Sequence, residues 1–165
     1  MFFWFIATSI WSVWFVFRDP KFDYRILAVA ALIPDLLDGL LRAFGMTHSV
    51  MHSVVTSIAV LFAIMIATAG RRPIRQRLLA VPIGLFMHLI YDGAFTATKT
   101  FWWPFTGTAI DNKSLPSIER GLVNLPLELL GFVACVVAWK YFALSDHHRR
   151  HTFLKTGSLN REDME

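Results

Sequence analysis

The sequence predicts an all-α fold, a polytopic membrane helix bundle with about five transmembrane helices. Three observations lead there. Of the 165 residues, 55% are hydrophobic and only 17% charged, against about 25% charged in an ordinary soluble domain. The apolar residues gather in five long runs, each readable as a membrane helix. The Lys and Arg residues concentrate in alternate connections between those runs, as cytoplasmic loops do. A soluble fold of this composition would carry more apolar surface than so small a core can bury.

The first run, 2–17, has almost no polar atoms. It has no basic stretch before it and no small-residue cleavage site before Arg18, so a retained span is expected rather than a leader. The second run, 26–44, contains Pro34, Asp35 and Asp38; the third covers 49–69, the fourth 78–97 and the fifth 121–144. Arg18, Lys21 and Arg25 flank the first connection, and Arg71, Arg72, Arg75 and Arg77 fill the third. Lys140, Arg149, Arg150, Lys155 and Arg161 belong to the tail and its approach. Only Arg42, Lys99, Lys113 and Arg120 fall in the second and fourth connections. Basic loops stay inside, so the N-terminus is expected outside and the C-terminus inside a plasma (bacterial inner) membrane. Residues 1–144 would form the bundle and 145–165 a polar, flexible cytoplasmic tail. The run His147-His148-Arg149-Arg150-His151 in that tail is a solvated segment or an anionic-headgroup contact.

The fourth connection holds Phe101, Trp102, Trp103, Pro104 and Phe105, a cluster suited to anchoring at the lipid–water interface or to covering a site. The single Cys135 permits no intramolecular disulfide and no paired-cysteine metal site. No phosphate-binding glycine loop, dinucleotide fingerprint or Gly-x-Ser-x-Gly elbow is present. The basic residues follow membrane topology, so no nucleic-acid partner is expected. Membrane lipids are the expected surroundings, and a homo-oligomer is compatible with them.

Ionisable groups at membrane depth cost roughly 2.5–3.5 kcal/mol each at a helix centre, which makes them functional by default. Here they come in helix-spaced pairs: Asp35 with Asp38, His48 with His52, His88 with Asp92, and Asn124 with Glu128. Spacings of three or four put both members on one helix face. With the topology above, all four pairs fall in the outer half of the bilayer. Imidazole and carboxylate from several helices are zinc ligands, and carboxylate-rich sets also admit manganese or iron. The expected metal ligands are therefore Asp35, Asp38, His48, His52, His88 and Asp92, holding one or two divalent ions. Glu128 or Asp38 would serve as proton acceptor, with Asn124 and Ser49 as supporting groups. Trp102, Trp103 and Arg120 are expected on the substrate and interface side. Structural alternatives exist for each pair, and a lone buried histidine is commonly a hydrogen-bonded structural residue. Asp35 after Pro34 could stabilise a helix start, Asp92-Gly93 could end a helix, and Glu128 could be a protonated acid bonded to Asn124.

Pro34-Asp35-Leu36-Leu37-Asp38, Thr47-His48-Ser49 with His52-Ser53, and His88-Leu89-Ile90-Tyr91-Asp92 together resemble the YdjM/YbcI family of predicted membrane-bound metal-dependent hydrolases. The resemblance spans roughly 26–105. That family's pattern is Pro-Asp-x-Asp, then an Arg-containing stretch ending in Thr-His-Ser, then His-x-x-x-Asp. The resemblance implies Asp35, Asp38, His48, His88 and Asp92 as metal-site residues. This chain departs from the pattern in placing two residues between its first acids, and in having Gly45-Met46 where a basic residue stands before Thr-His-Ser.

The expectation is a membrane-embedded metal-dependent hydrolase acting on an amphiphilic, lipid or lipid-linked phosphoester or ester at the outer leaflet. Ion or metal transport, or a non-enzymatic membrane assembly role, would use the same Asp/His cluster.

Overall fold

The computed structural model describes residues 1–19, 22–44, 50–107 and 120–159. Among them every regular element is helical and no strand occurs. In chain order the helices are α1 (Phe2–Phe17), α2 (Tyr24–Ala30), α3 (Ile33–Ala43), α4 (Val54–Ala67), α5 (Arg72–Leu78), α6 (Ala80–Tyr91), α7 (Thr98–Phe101), α8 (Asn124–Tyr141) and α9 (His147–Thr156). Short 3-10 turns at Val50–His52, Ala94–Thr96 and Gly121–Val123 join some of them.

Among the described residues, only one of the five expected spans is long and apolar enough to cross a membrane by itself. It is Gly121–Tyr141, 21 residues with mean hydropathy 2.0. Phe2–Phe17 and Val54–Ala67 are apolar but shorter. The expected second span is divided into α2 and α3, because Pro34 supplies no N–H to continue the helical ladder and is tolerated only in a first turn. The expected fourth span begins on the last residue of α5 and runs through α6 and a 3-10 turn, with the break between these two at Gly93, which turns left-handed at φ 68°.

Helix α6 is the centre of the molecule, packing on α1, α2, α3, α4 and α5, while α8 lies along α1. Two of these approaches need a missing side chain. A Cβ on Gly84 would come within 2.6 Å of the Ala30 Cβ, and one on Gly131 within 2.3 Å of the Trp4 nitrogen. Small residues at such crossings let backbones meet.

The apolar core lies at one end of the bundle. It joins Val13 of α1, Tyr24 and Leu27 of α2, Ala80 of α6, and Ala138 and Phe142 at the end of α8. Trp11, Trp14, Tyr141 and Phe142 stack around it with centroids 5.1–5.9 Å apart. The other end of α1, α6 and α8 carries the polar groups.

The segment expected as a flexible tail is ordered helix over His147–Thr156, with Asp146 capping its first turn by accepting from the Arg149 N–H at 2.9 Å. Leu159 beyond it is buried in the core. The Tyr24 N–H donates to the Gly157 carbonyl at 2.9 Å. The averaged polarity of 145–165 conceals Phe153 and Leu159, the two apolar contacts that hold this segment against the bundle.

Candidate metal centre

Asp35, His52 and His88 bring one ligand atom each within 4.8 Å of one another, an arrangement that could hold a metal ion. Local sequence explains each placement. The break before Pro34 puts Asp35 in the first turn of α3, where the positive end of the helix dipole favours a carboxylate. His52 ends a 3-10 turn just before Ser53, which caps α4 by accepting from the Val55 N–H at 3.2 Å. His88 sits in the last turn of α6, one turn before Asp92 on the same face.

The separations are short. His52 Nε2 and His88 Nε2 are 3.2 Å apart, and Asp35 Oδ1 lies 3.6 Å from the first and 3.5 Å from the second. Ligand atoms of a tetrahedral ion bound at 2.0–2.1 Å stand about 3.3 Å apart. Asp92 Oδ2 flanks the trio, 3.9 Å from His52 Nε2. His52, His88 and Asp92 are each 0% exposed, whereas the Asp35 side chain is 33% exposed. Asp35 is therefore the member of the trio that faces outward.

The far nitrogen of each ring has an accepting oxygen beside it. His88 Nδ1–H donates to the Ala31 carbonyl at 2.8 Å, and a carbonyl only accepts, so this ring carries its proton on Nδ1. Ala31 lies in the break between α2 and α3, outside both helices, which leaves its carbonyl available. His52 Nδ1 faces Asp38 Oδ2 at 3.0 Å. Both Nε2 lone pairs then point into one 3.2 Å gap, which only a shared proton or a cation can occupy without repulsion. Metal-bound histidines are oriented in this way, through the other ring nitrogen. Phe5 supports His88 from the side, its ring centroid 4.1 Å from the imidazole.

The charges around the centre are unequal. Of the carboxylates of Asp35, Asp38 and Asp92, that of Asp92 meets Arg120, whose Nη2 donates to the Asp92 carbonyl and lies 3.3 Å from Asp92 Oδ1. The Met1 amino group lies 4.0 Å from Asp35 Oδ2. Among the described residues the carboxylates here outnumber the cations. Asp92 Oδ2 is buried without a hydrogen-bond partner, and Asp38 has only the 3.0 Å ion-pair contact with His52 Nδ1, a costly state that a cation or a proton would relieve.

The remaining expected residues are distributed as follows. Asp38 stands at the far nitrogen of His52 rather than among the three converging atoms. Glu128 caps α1: its Oε1 accepts from the Phe2 and Phe3 N–H groups at 3.0 Å each, and its Oε2 from the Trp4 N–H at 3.4 Å. Its oxygens thereby satisfy the open N–H groups of a helix start. Asn124 is the first residue of α8, one turn before Glu128. His48 and Ser49 lie outside the described residues. The Ser53 hydroxyl donates to the Trp103 carbonyl at 2.7 Å, tying the aromatic segment to the residue next to His52. Trp102 in that segment is half exposed.

Beside Asp92 and Arg120 opens a cavity of about 580 Å³, lined also by Trp4, Ile90, Tyr91, Gly93 and Thr96. Trp4 is fixed there by its indole N–H donating to the Tyr91 carbonyl at 3.2 Å. Trp4, Tyr91 and the Ala31 carbonyl were not foreseen from sequence. The first two read as ordinary interfacial aromatics, and a backbone carbonyl leaves no sequence signal. Comparison with protein-family models, curated proteins and solved structures gives no match.

Proposed function

We propose that this chain is a membrane-embedded metal-dependent hydrolase of the YdjM/YbcI type, with Asp35, His52 and His88 as its metal ligands. The observation that carries the proposal is the pair of Nε2 atoms 3.2 Å apart, both directed at Asp35 Oδ1. Two histidines and one carboxylate leave coordination positions open, as catalytic zinc sites and non-haem iron sites do. Zinc is the proposed ion, and Asp92 Oδ2 is a fourth ligand or a proton acceptor for water. A bound divalent ion would polarise the scissile group and lower the pKa of water near it. Asp38 and the Ala31 carbonyl hold the two imidazoles in register for it.

A multi-pass membrane setting is part of this proposal. Only 11% of the α8 window is buried inside the protein, whereas a soluble core helix of that length would be mostly enclosed. Leu125, Leu129, Leu130, Phe132, Val133 and Val137 are exposed along it, as are Phe62 and Ile66 on α4, and exposed apolar surface on this scale calls for lipid or a partner. The shorter helices would cross by pairing end to end or by thinning the bilayer. The centre would then face the outer leaflet. The packed core of Val13, Leu27, Ala80 and Phe142 at the opposite end counts against a through-route for ions.

Elemental analysis of the detergent-purified protein tests the reading. About one zinc per chain is expected for the wild type and under a tenth of that for His88→Ala. Wild-type protein without stoichiometric metal, or undiminished metal in His88→Ala, would defeat it.

A further inference from the structure

The cavity next to the centre is lined by residues of two chemical kinds. Trp4, Ile90 and Tyr91 are apolar or aromatic, and Asp92, Thr96 and Arg120 are polar. The polar set is built rather than incidental. Arg120 Nη2 is anchored on both the backbone carbonyl and Oδ1 of Asp92. Gly93, at φ 68°, makes the turn that brings that carbonyl round. The other oxygen of Asp92, Oδ2, is fully buried, lacks a hydrogen-bond partner and faces His52 Nε2 at 3.9 Å. Asp92 thus joins the metal centre with one oxygen and a guanidinium with the other.

We infer that the cavity seats a phosphate ester with an apolar organic group, its phosphoryl oxygens held by Arg120 and its organic part lying against Trp4 and Ile90. The inference rests on the hydrolase reading of the same centre and names its substrate class. A guanidinium carries five N–H donors in a planar fork, a shape that matches phosphate oxygens in pairs. Anchoring through Nη2 holds the fork in place at the wall of the cavity. A neutral carboxylic ester would bring no charge to such a group, so its desolvation would go uncompensated until the transition state. A phosphate ester brings the complementary charge at the moment of binding. In the reaction, a water oxygen bonds to phosphorus and the phosphorus–oxygen bond to the organic group breaks. One water proton ends on the departing alkoxide, releasing an alcohol and phosphate.

The test uses zinc-loaded full-length protein in detergent, with phosphatidic acid in mixed micelles, p-nitrophenyl phosphate and p-nitrophenyl butyrate as substrates. Phosphatidic acid should be cleaved best and the butyrate ester least, with inorganic phosphate as competitive inhibitor. Arg120→Ala should lower kcat/KM for phosphatidic acid on the order of 100-fold, and Arg120→Lys should lower it less. Zinc content should stay at the wild-type value in both. Ile90→Trp, which enlarges an apolar lining residue, should reduce turnover of phosphatidic acid more than of p-nitrophenyl phosphate. Zinc bound but the butyrate ester cleaved in preference, or kcat/KM unchanged in Arg120→Ala with zinc retained, overturns the phosphate assignment and leaves the hydrolase reading standing. Absence of bound zinc in the wild type overturns both.

Discussion

At the scale of single residues, His52 and His88 differ in how their far nitrogens are held, and this has a measurable consequence. His88 rests on a backbone carbonyl that no side-chain substitution removes. His52 depends on Asp38, whose Oδ2 is 3.0 Å from its Nδ1. Replacing such an orienting partner costs metal sites about 10- to 100-fold in affinity. Asp38→Ala should weaken zinc binding by that factor, read by competition with a chromophoric chelator, while the stoichiometry at saturating zinc stays at the wild-type value. Equal affinity in the variant would show that Asp38 does not orient the ring. From the sequence, Asp35, His52, His88 and Asp92 were recognisable because ionisable side chains in apolar runs are conspicuous. The division of labour between Asp35 and Asp38 was not. Three residues apart in one helix, both are equally able to point inward, and only the position of His52 across the gap separates them.

At the scale of elements, α1 is held against α8 by an arrangement of two residues one turn apart. Glu128 accepts from the first N–H groups of α1, and Gly131 lets the backbone of Phe3 and Trp4 approach directly. Trp4 and Phe5 in the same turn reach the cavity and His88, so this contact also positions the site. Loss of a helix cap costs about 1 kcal/mol. Glu128→Ala should therefore lower the midpoint of thermal unfolding and leave zinc stoichiometry intact. If that variant abolished hydrolysis while its stability stayed unchanged, Glu128 would belong to the chemistry and not to the cap. Gly131→Leu is expected to be more damaging, since the atoms it meets are backbone and cannot rotate away; overpacking of this kind costs about 1–3 kcal/mol. Hydropathy identified α1 and α8 as apolar helices. Their pairing through a carboxylate on the N–H groups of a distant helix start could not be read from either helix alone.

For the molecule as a whole, helix α9 is fastened to the end of the bundle remote from the candidate metal site. Asp23 caps α2, pairs with Arg25 at 2.6 Å, and stands beside the Tyr24 N–H that donates to Gly157. The Arg25 guanidinium also donates to the Leu154 carbonyl. Burial works to raise the Asp23 carboxyl, but hydrogen bonds from the Arg25 side chain and the Ile26 and Arg25 N–H groups, with the Arg25 charge, hold it below the ordinary carboxylate value. A depressed carboxyl contributes stability that is complete above its unfolded value, about 3.9, and is lost as pH falls through the lower folded value. Below about pH 4 the tail should therefore loosen. Hydrogen exchange at the Tyr24 amide, corrected for its intrinsic rate, should accelerate between pH 5 and pH 3 in the wild type. In Asp23→Asn it should already be fast at pH 5 and change little further; the same acid-induced opening in both proteins would assign the response to another group.

The linear pattern of residues already shows that the chain is helical and that its apolar segments carry ionisable side chains at helical spacing. Both properties follow from local periodicity, which a linear pattern records directly. Where α2 stops and α3 starts was foreshadowed by Pro34, yet the consequence of that break, a carbonyl set free for His88, belongs to two segments 57 residues apart. Only the tertiary structure decided which groups meet: Asp35, His52 and His88 at one point, Asp38 behind His52, Arg120 on Asp92, and Glu128 on α1. Spacing within a helix fixes which face a side chain takes. Convergence between helices depends on their crossings and breaks, which are set by packing across the whole bundle.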